Sequence, residues 1–248
     1  MMSDSPVVGV VGADADAVVA AVESAGGRAT AGTAKRVVDE SEAVVAVGEP
    51  ALLAVARTGT DDPVLPVAAG ASVRSVPREA VATGVADLVA GDYERAPHPL
   101  VDVRVGDRTR ATALFDLMLV SAEPAQISEY AVERADDRVA RFRADGVVVA
   151  TPAGSSGYAS DAGGPVLAPE TDAVAVVPVA PFETDIDHWV LPPEGLSVSV
   201  ERDETAVHLL ADDRVVGPVE PHEPVRVTPA GSIAVAVVAT GRSPFPPA

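Results

Sequence analysis

The spacing of apolar residues changes near residue 96, and that change constrains the fold more than any other feature of the chain. From Pro6 to about Ala96, short apolar runs alternate with alanine-rich helical windows: "VVGVV", then Asp14 to Ala25 stopping at Gly26-Gly27, then "AVVAVG", then Ala51 to Arg57. "PVLPVAAG" predicts a third strand, and "REAVATGVADLVAGDY" a helix that stops near Gly91. Strand then helix, repeated, implies a parallel sheet. Beyond this point the apolar residues alternate with period two in "LVDVRV", "VARFRADGVVVA", "AVAVVPVA", "LSVSVERDETAVHLLADDRVV" and "PVRVTP". That pattern predicts antiparallel strands, with hairpins at Asp203-Glu204 and Asp212-Asp213. The expected fold is an α/β N-terminal domain plus an all-β C-terminal domain, with the boundary in "ERAPHP" at residues 94–99. A last strand, "IAVAVVA", precedes a Pro-rich tail expected to fray.

Composition narrows the partners. The chain has 37 acidic and 18 basic residues, a net charge of -19, and Lys35 as its one lysine. A sequence-independent grip on nucleic acid or anionic lipid is therefore disfavoured. An Asp-rich surface nearly free of lysine, with no asparagine and one glutamine, fits adaptation to concentrated salt, where charge repulsion reaches only about 3 Å at ~1 M. Without cysteine there is no disulfide framework and no thiolate metal site, so that count leaves the compartment open. The start, "MMSDSPVVGVVGADADA", has no basic region leading into a long apolar run, and no stretch reaches about 18 apolar residues. A cytoplasmic location is expected.

One stretch concentrates the chemistry: "DGVVVATPAGSSGYASDAGGP", residues 145–165. Val147 to Ala150 reads as a buried strand and Thr151 to Ser156 as the turn after it. Gly154 and Gly157 let a ligand or a neighbouring backbone come close. Thr151, Ser155 and Ser156 each donate and accept, Tyr158 adds a flat face and a phenol, and Asp145 can accept from a pair of ribose hydroxyls. This combination suits a nucleoside. The same residues equally suit a tight strand-to-helix connection in which the hydroxyls cap the next helix.

The stretch resembles the NAD kinase family, whose C-terminal domain carries Asp-Gly, four apolar residues, Thr-Pro-Thr-Gly-Ser-Thr-Ala-Tyr and later Ala-Gly-Gly-Pro. Asp145, Gly146, Thr151, Pro152, Gly154, Ser155, Tyr158, Ala162, Gly163, Gly164 and Pro165 match; Ala153, Ser156 and Gly157 depart. "VVPVAPF", "VLP" at 190–192, "ADDR" at 211–214 and "GDYERAPHPLVDVRV" resemble other family segments. The likeness covers roughly residues 90–240 in sequence and the first 90 in architecture. It implies an NAD kinase-like fold: an α/β domain over 1–96, a β-sandwich-like NAD-binding domain over 97–228, and a final strand within 229–248 returning to the first domain. It also implies NAD or NADP bound in the interdomain cleft, transfer of the ATP γ-phosphoryl to the adenosine ribose 2'-hydroxyl, Mg with the ATP, and a homo-oligomer.

The catalytic half of the resemblance is altered. Where the family has Gly-Gly-Asp-Gly, this chain has Val47-Gly48-Glu49-Pro50, followed by Ala51-Leu52-Leu53. Only Gly48 is kept. Glu49 still supplies a carboxylate, one methylene longer, in the place of the family's catalytic base. Val47 adds a Cβ, and Pro50 removes an N–H and fixes φ. Each hydrogen bond lost to a charged phosphate forfeits roughly 1.5–3 kcal/mol, about ten- to a hundredfold in rate if it acts in the transition state. The family's Asn-Glu/Asp pair falls at Phe115-Asp116, so Asp116 alone remains. Asp187-His188-Trp189 stands where the family has a basic residue, and the loop "PVLPVAAGASVRS" lacks the family's Gly-Ile-Asn-Leu-Gly pattern.

Two functional expectations follow. One is a nucleotide-binding relative with phosphoryl transfer weak or lost, in which Gly48, Asp116, Asp145, Gly146, Thr151, Gly154, Ser155, Ser156 and Tyr158 line the site. The other is a working NAD kinase with Glu49 as base. Remaining motifs are weaker. "GVVGAD" at 9–14 lacks the three-glycine spacing of a dinucleotide turn. His98, His188, His208 and His222 lack metal-ligand spacing, so no metal site from protein ligands is predicted. "GSSGY" misses the Gly-x-Ser-x-Gly of hydrolases because Ala153 precedes Ser155 by two. "TPAGS" occurs at both 151–155 and 228–232, which composition explains.

Overall fold

In the computed structural model, which describes residues 5–106, 108–123, 126–135, 137–183, 186–203, 205–243 and 245, the chain divides into two compact units. One comprises the residues up to His98 together with those from Ser232 onward; the other runs from Pro99 to Gly231.

The first unit alternates strand and helix: β1 (Val7–Gly12), α1 (Ala15–Ser24), β2 (Arg28–Ala31), α2 (Ala34–Glu40), β3 (Ala43–Val47), α3 (Glu49–Thr58), β4 (Val64–Val67) and α4 (Val81–Ala90). The strands pair in parallel as β2-β1-β3-β4. All five residues of β3 are buried, as a central parallel strand covered on both faces requires. Helices form where apolar residues recur on one face, Val18 and Val22 in α1 and Leu52, Leu53 and Val55–Ala56 in α3. Helix α1 stops where expected, with the N–H groups of Gly26 and Gly27 donating to Glu23 O and Val22 O. The "GVVGAD" segment is the end of β1 followed by a turn at Ala13-Asp14, in which Asp14 takes φ +61° and pairs with Arg78 at 2.6 Å.

The second unit is antiparallel β. It is built from the part of β5 (Glu94–Val105) that follows His98, β6 (Arg108–Ala113), β7 (Asp116–Ser121), β8 (Ser128–Arg134), β9 (Asp137–Ala150), a short helix α5 (Tyr158–Asp161), β10 (Val174–Pro181), β11 (Trp189–Leu191), β12 (Leu196–Arg202), β13 (Val207–Ala211), β14 (Arg214–Val219) and the start of β15 (Val225–Val237). Strand β9 organises it. Residues 137–144 pair with β8, residues 146–150 pair with β7, and β10 lies on the other side of 144–150. One sheet face buries Leu117, Leu119, Val147, Val149 and Val176 with the rings of Tyr130 and Phe142. Phe142 stacks on Trp189 at 5.8 Å. On the opposite face Val148, Ala150, Ala175 and Val177 are covered by Ala159 and Leu167, so the segment after β9 folds back over its own strand.

Several elements differ from the sequence reading. Strand β2 and helix α2 were not anticipated, which makes "PVLPV" the fourth strand: β2 is a four-residue edge strand and α2 buries only Ala34 and Val37. Strands β6, β7, β8 and the three-residue β11 were likewise missed. "ERAPHP" forms the beginning of β5, and the two units divide within it, between His98 and Pro99. The expected hairpin at Asp203-Glu204 does not form among the described residues, and Glu204 itself lies outside them; β12 pairs with β8 and β15, and β13 with β7 and β14. "PVRVTP" and "IAVAVVA" belong to one strand, β15, which pairs with β12 at Val225–Val227 and with β4 at Val235.

Candidate functional site

The turn after β9 is tied to the segment that joins β6 to β7. The Thr151 N–H donates to Phe115 O at 2.9 Å. Its hydroxyl donates to Leu114 O at 2.5 Å, with Phe115 O at 3.1 Å, and accepts from the Gly154 N–H at 3.3 Å. Ser155 Oγ donates to Pro152 O at 2.8 Å and accepts from the Leu167 N–H at 2.9 Å. Both side chains are fully buried. Gly154 sits where any Cβ would collide with Phe115 O. The glycine is therefore required by a protein backbone rather than by a ligand.

The opposite side of the same segment is held from β13 and β14. Asp212, in the tight turn between them, accepts from the N–H of Leu114 at 3.1 Å, of Phe115 at 2.7 Å and of Asp116 at 3.2 Å. Its own N–H donates to Asp116 O at 2.9 Å. Thus carbonyls at 114–115 are taken by Thr151, and amides at 114–116 by a carboxylate, the stronger class of acceptor.

These contacts correct part of the sequence reading. The hydroxyls of Thr151 and Ser155 face inward and are engaged with main chain, so neither is presented to a guest. They do not cap α5 either: Gly157 is its N-cap and no side chain bonds there. Ser156, Gly157 and Tyr158 are exposed, Tyr158 by 47%. Asp116 is half-buried at the first position of β7. Asp145 is half-buried where β9 changes partner from β8 to β7, and Gly146 pairs with Val120 and Val179. The fold thus gathers Asp116, Thr151 and Gly154 around Phe115, ties Ser155 to Pro152 and Leu167, and leaves Asp145 and Gly146 at the far end of the β7–β9 ladder.

Beneath Asp145, the Tyr130 hydroxyl lies 3.5 Å from its carbonyl, and Ser121 and Ser128 hydroxyls meet at 3.3 Å. Burial pushes the Tyr130 phenol up to about 12, with the nearby Ser121 and Ser128 hydroxyls lowering it and Asp145 raising it. A cavity of about 120 Å³ opens beside Thr151 and Pro152, lined also by Pro99, Val101, Val174 and Pro229. It is smaller than the roughly 300–1,000 Å³ typical of ligand pockets and holds no dinucleotide.

Gly48 and Glu49 belong to the first unit. Gly48 follows β3, takes φ +87° and is the N-cap of α3. Its N–H donates to Val67 O at 2.7 Å, and its carbonyl accepts from Ala51 and Leu52, each at 3.2 Å. Pro50 has no N–H to offer. Glu49 is exposed at the first helical position. Among the described residues no three His, Asp or Glu side chains are grouped to hold a metal ion, so the described residues supply no all-protein cage for Mg, which is ordinarily bound through one or two carboxylates and substrate phosphates.

The sequence reading placed a hairpin at Asp212-Asp213, which β13 and β14 form, but missed the role of Asp212, whose partners lie 96 to 98 residues away. No local pattern signals such a contact.

Comparison with known proteins bears directly on this second unit. Residues 115–240 match the family described as ATP-NAD kinase C-terminal domain. The NAD kinase of Methanosarcina barkeri is 43% identical over 95 residues, 38% of this chain and 34% of that protein. The NAD kinase of Gemmatimonas aurantiaca is 30% identical over 132 residues, 51% of this chain and 45% of that one. The matched segment thus spans about a third to under half of these relatives' lengths. In fold, the chain is similar to an NAD kinase from Archaeoglobus fulgidus solved with ATP, with a TM-score of 0.77, 20% identity and 92% of each chain covered. It is similar also to yeast NADH kinase solved with NADH, with a TM-score of 0.78, 15% identity, and 96% of this chain and 85% of that one covered. Half of the chain carries the family's C-terminal domain and nearly all of it carries the fold, so the chain belongs to the NAD kinase family.

Proposed function

We propose that this chain binds an NAD(P)-type nucleotide and that its phosphoryl transfer from ATP to the NAD 2'-hydroxyl is weak or lost. Family membership supports the binding half. The observation that carries the second half is the start of α3. Pro50 lacks an N–H, while those of Gly48 and Ala51 are spent on Val67 O and Gly48 O. Main-chain donors for a phosphate are depleted at the place where the family motif would supply them. Exposed Ser156 and Tyr158 and half-buried Asp116 and Asp145 are the side chains offered to the nucleotide. Mg enters with the phosphates of ATP if transfer occurs, and a homo-oligomeric, cytoplasmic protein is the accompanying expectation.

The exposed Glu49 carboxylate favours a second reading, a working NAD kinase with Glu49 as base. The two separate on one assay: purified protein at high salt with Mg-ATP and NAD, scored for NADP. The proposal predicts little NADP and no change on Glu49→Ala. Turnover abolished by that substitution establishes the second reading instead. Calorimetric titration with NAD, NADP and ATP measures binding independently, and silence for all three removes both.

A further inference from the structure

We infer that Asp212 is a positioning residue that sets the direction of the Asp116 carboxylate, an inference resting on the nucleotide-binding reading of that site. Both main-chain groups of Asp116 go to this one residue: its N–H to Asp212 Oδ1 at 3.2 Å, its carbonyl to the Asp212 N–H at 2.9 Å. The two residues before it are held by the same carboxylate, Phe115 through Oδ1 at 2.7 Å and Leu114 through Oδ2 at 3.1 Å. With the backbone of 114–116 fixed, the Cα–Cβ bond of Asp116 has one direction, and its carboxylate swings only about its own side-chain torsions.

The chemistry demands an aspartate. Two acceptor oxygens without a proton are needed to satisfy three amides, which a hydroxyl or an amide side chain does not match. The stem must also be short, because the residue sits in a two-residue turn with φ +49°, a conformation that Asp and Asn tolerate better than other side chains. Thr151 holds the same segment by its carbonyls, so the segment is gripped through both sets of main-chain groups. A ligand group placed by a side chain loses binding when its support loosens, even though the support never touches the ligand.

The test uses the full chain and Asp212→Asn, which keeps the turn and removes one acceptor. NAD and NADP are titrated calorimetrically into wild type, Asp212→Asn, Asp116→Ala and the double variant, and amide hydrogen exchange is followed across 114–116. The expected result is affinity weakened about tenfold by Asp212→Asn, faster exchange at 114–116, and a further change of under about twofold when Asp212→Asn is added to Asp116→Ala. Equal losses in both backgrounds, or unchanged exchange at 114–116, overturn the inference while leaving nucleotide binding intact. Absence of NAD and NADP binding by the wild type removes the nucleotide reading itself, and the inference with it. If Asp212→Asn yields no folded protein, Asp212→Glu keeps both acceptors but carries them one methylene further, and wild-type affinity in that variant overturns the inference.

Discussion

Two strand-to-helix turns, the one after β3 and the one after β9, were read from sequence as the two halves of one nucleotide site, and they have fared differently. After β9 the family's residues are largely kept, and the structure uses them on itself: Thr151 and Ser155 are bonded to main chain and Gly154 presses on Phe115. After β3 only Gly48 is kept, and it too has a backbone reason, a φ of +87° at the helix cap. The residues that differ there, Val47, Glu49 and Pro50, surround that glycine. What survives in both turns is what the main chain needs. Motif retention in residues 151–155 therefore reports a locked loop, and the case for a bound nucleotide rests on the exposed and half-buried groups around it, Asp116, Asp145, Ser156 and Tyr158.

The comparison breaks if the two glycines prove equivalent. Gly154→Ala forces a Cβ into a carbonyl oxygen, and denaturant melts should show a loss of about 3 kcal/mol. Gly48→Ala meets open space apart from Pro50 at 3.7 Å and strains only φ, for a loss of about 1 kcal/mol. Equal losses would mean that the two turns are built alike. Thr151→Val sharpens the point. It keeps the shape but leaves Leu114 O without the hydroxyl, at a cost of about 2 kcal/mol in the same melts.

A smaller effect tests the other end of the block. Tyr130 in the folded chain keeps its proton up to about pH 12, against 10.0 for an ordinary tyrosine. Between those values the folded state holds a proton that the unfolded state has lost, so stability falls as pH rises. The contribution is fully present below pH 10 and falls by about 1.4 kcal/mol by about pH 11. Tyr130→Phe should flatten that decline in melts run from pH 9 to 11.5. An unchanged slope contradicts the burial of the phenol.

Legibility followed the length and regularity of each element. β1, α1, β3, α3 and α4 were readable because their apolar residues recur at the helical period or form short unbroken runs. β2 was not, since "RATA" at a sheet edge has no apolar run to announce it. The repeat "TPAGS" is the clearest limit: at 151–155 it is a buried turn, at 228–232 it lies within β15. Five identical residues take two conformations because their neighbours differ. The site was legible as a set of candidates but not as an arrangement. Whether Thr151 faces a ligand or Leu114 O is decided by a contact 37 residues away, and the grip of Asp212 on 114–116 by one nearly a hundred residues away.

The central claim, that the turn after β3 limits phosphoryl transfer, is tested most directly by NADP formation from Mg-ATP and NAD in the wild type and in Glu49→Asp/Pro50→Gly, which restores the family's acid and one N–H. The account predicts slow formation by the wild type and a gain of about tenfold or more in the variant. Rapid turnover by the wild type, undiminished or lowered in the variant without any gain, contradicts it.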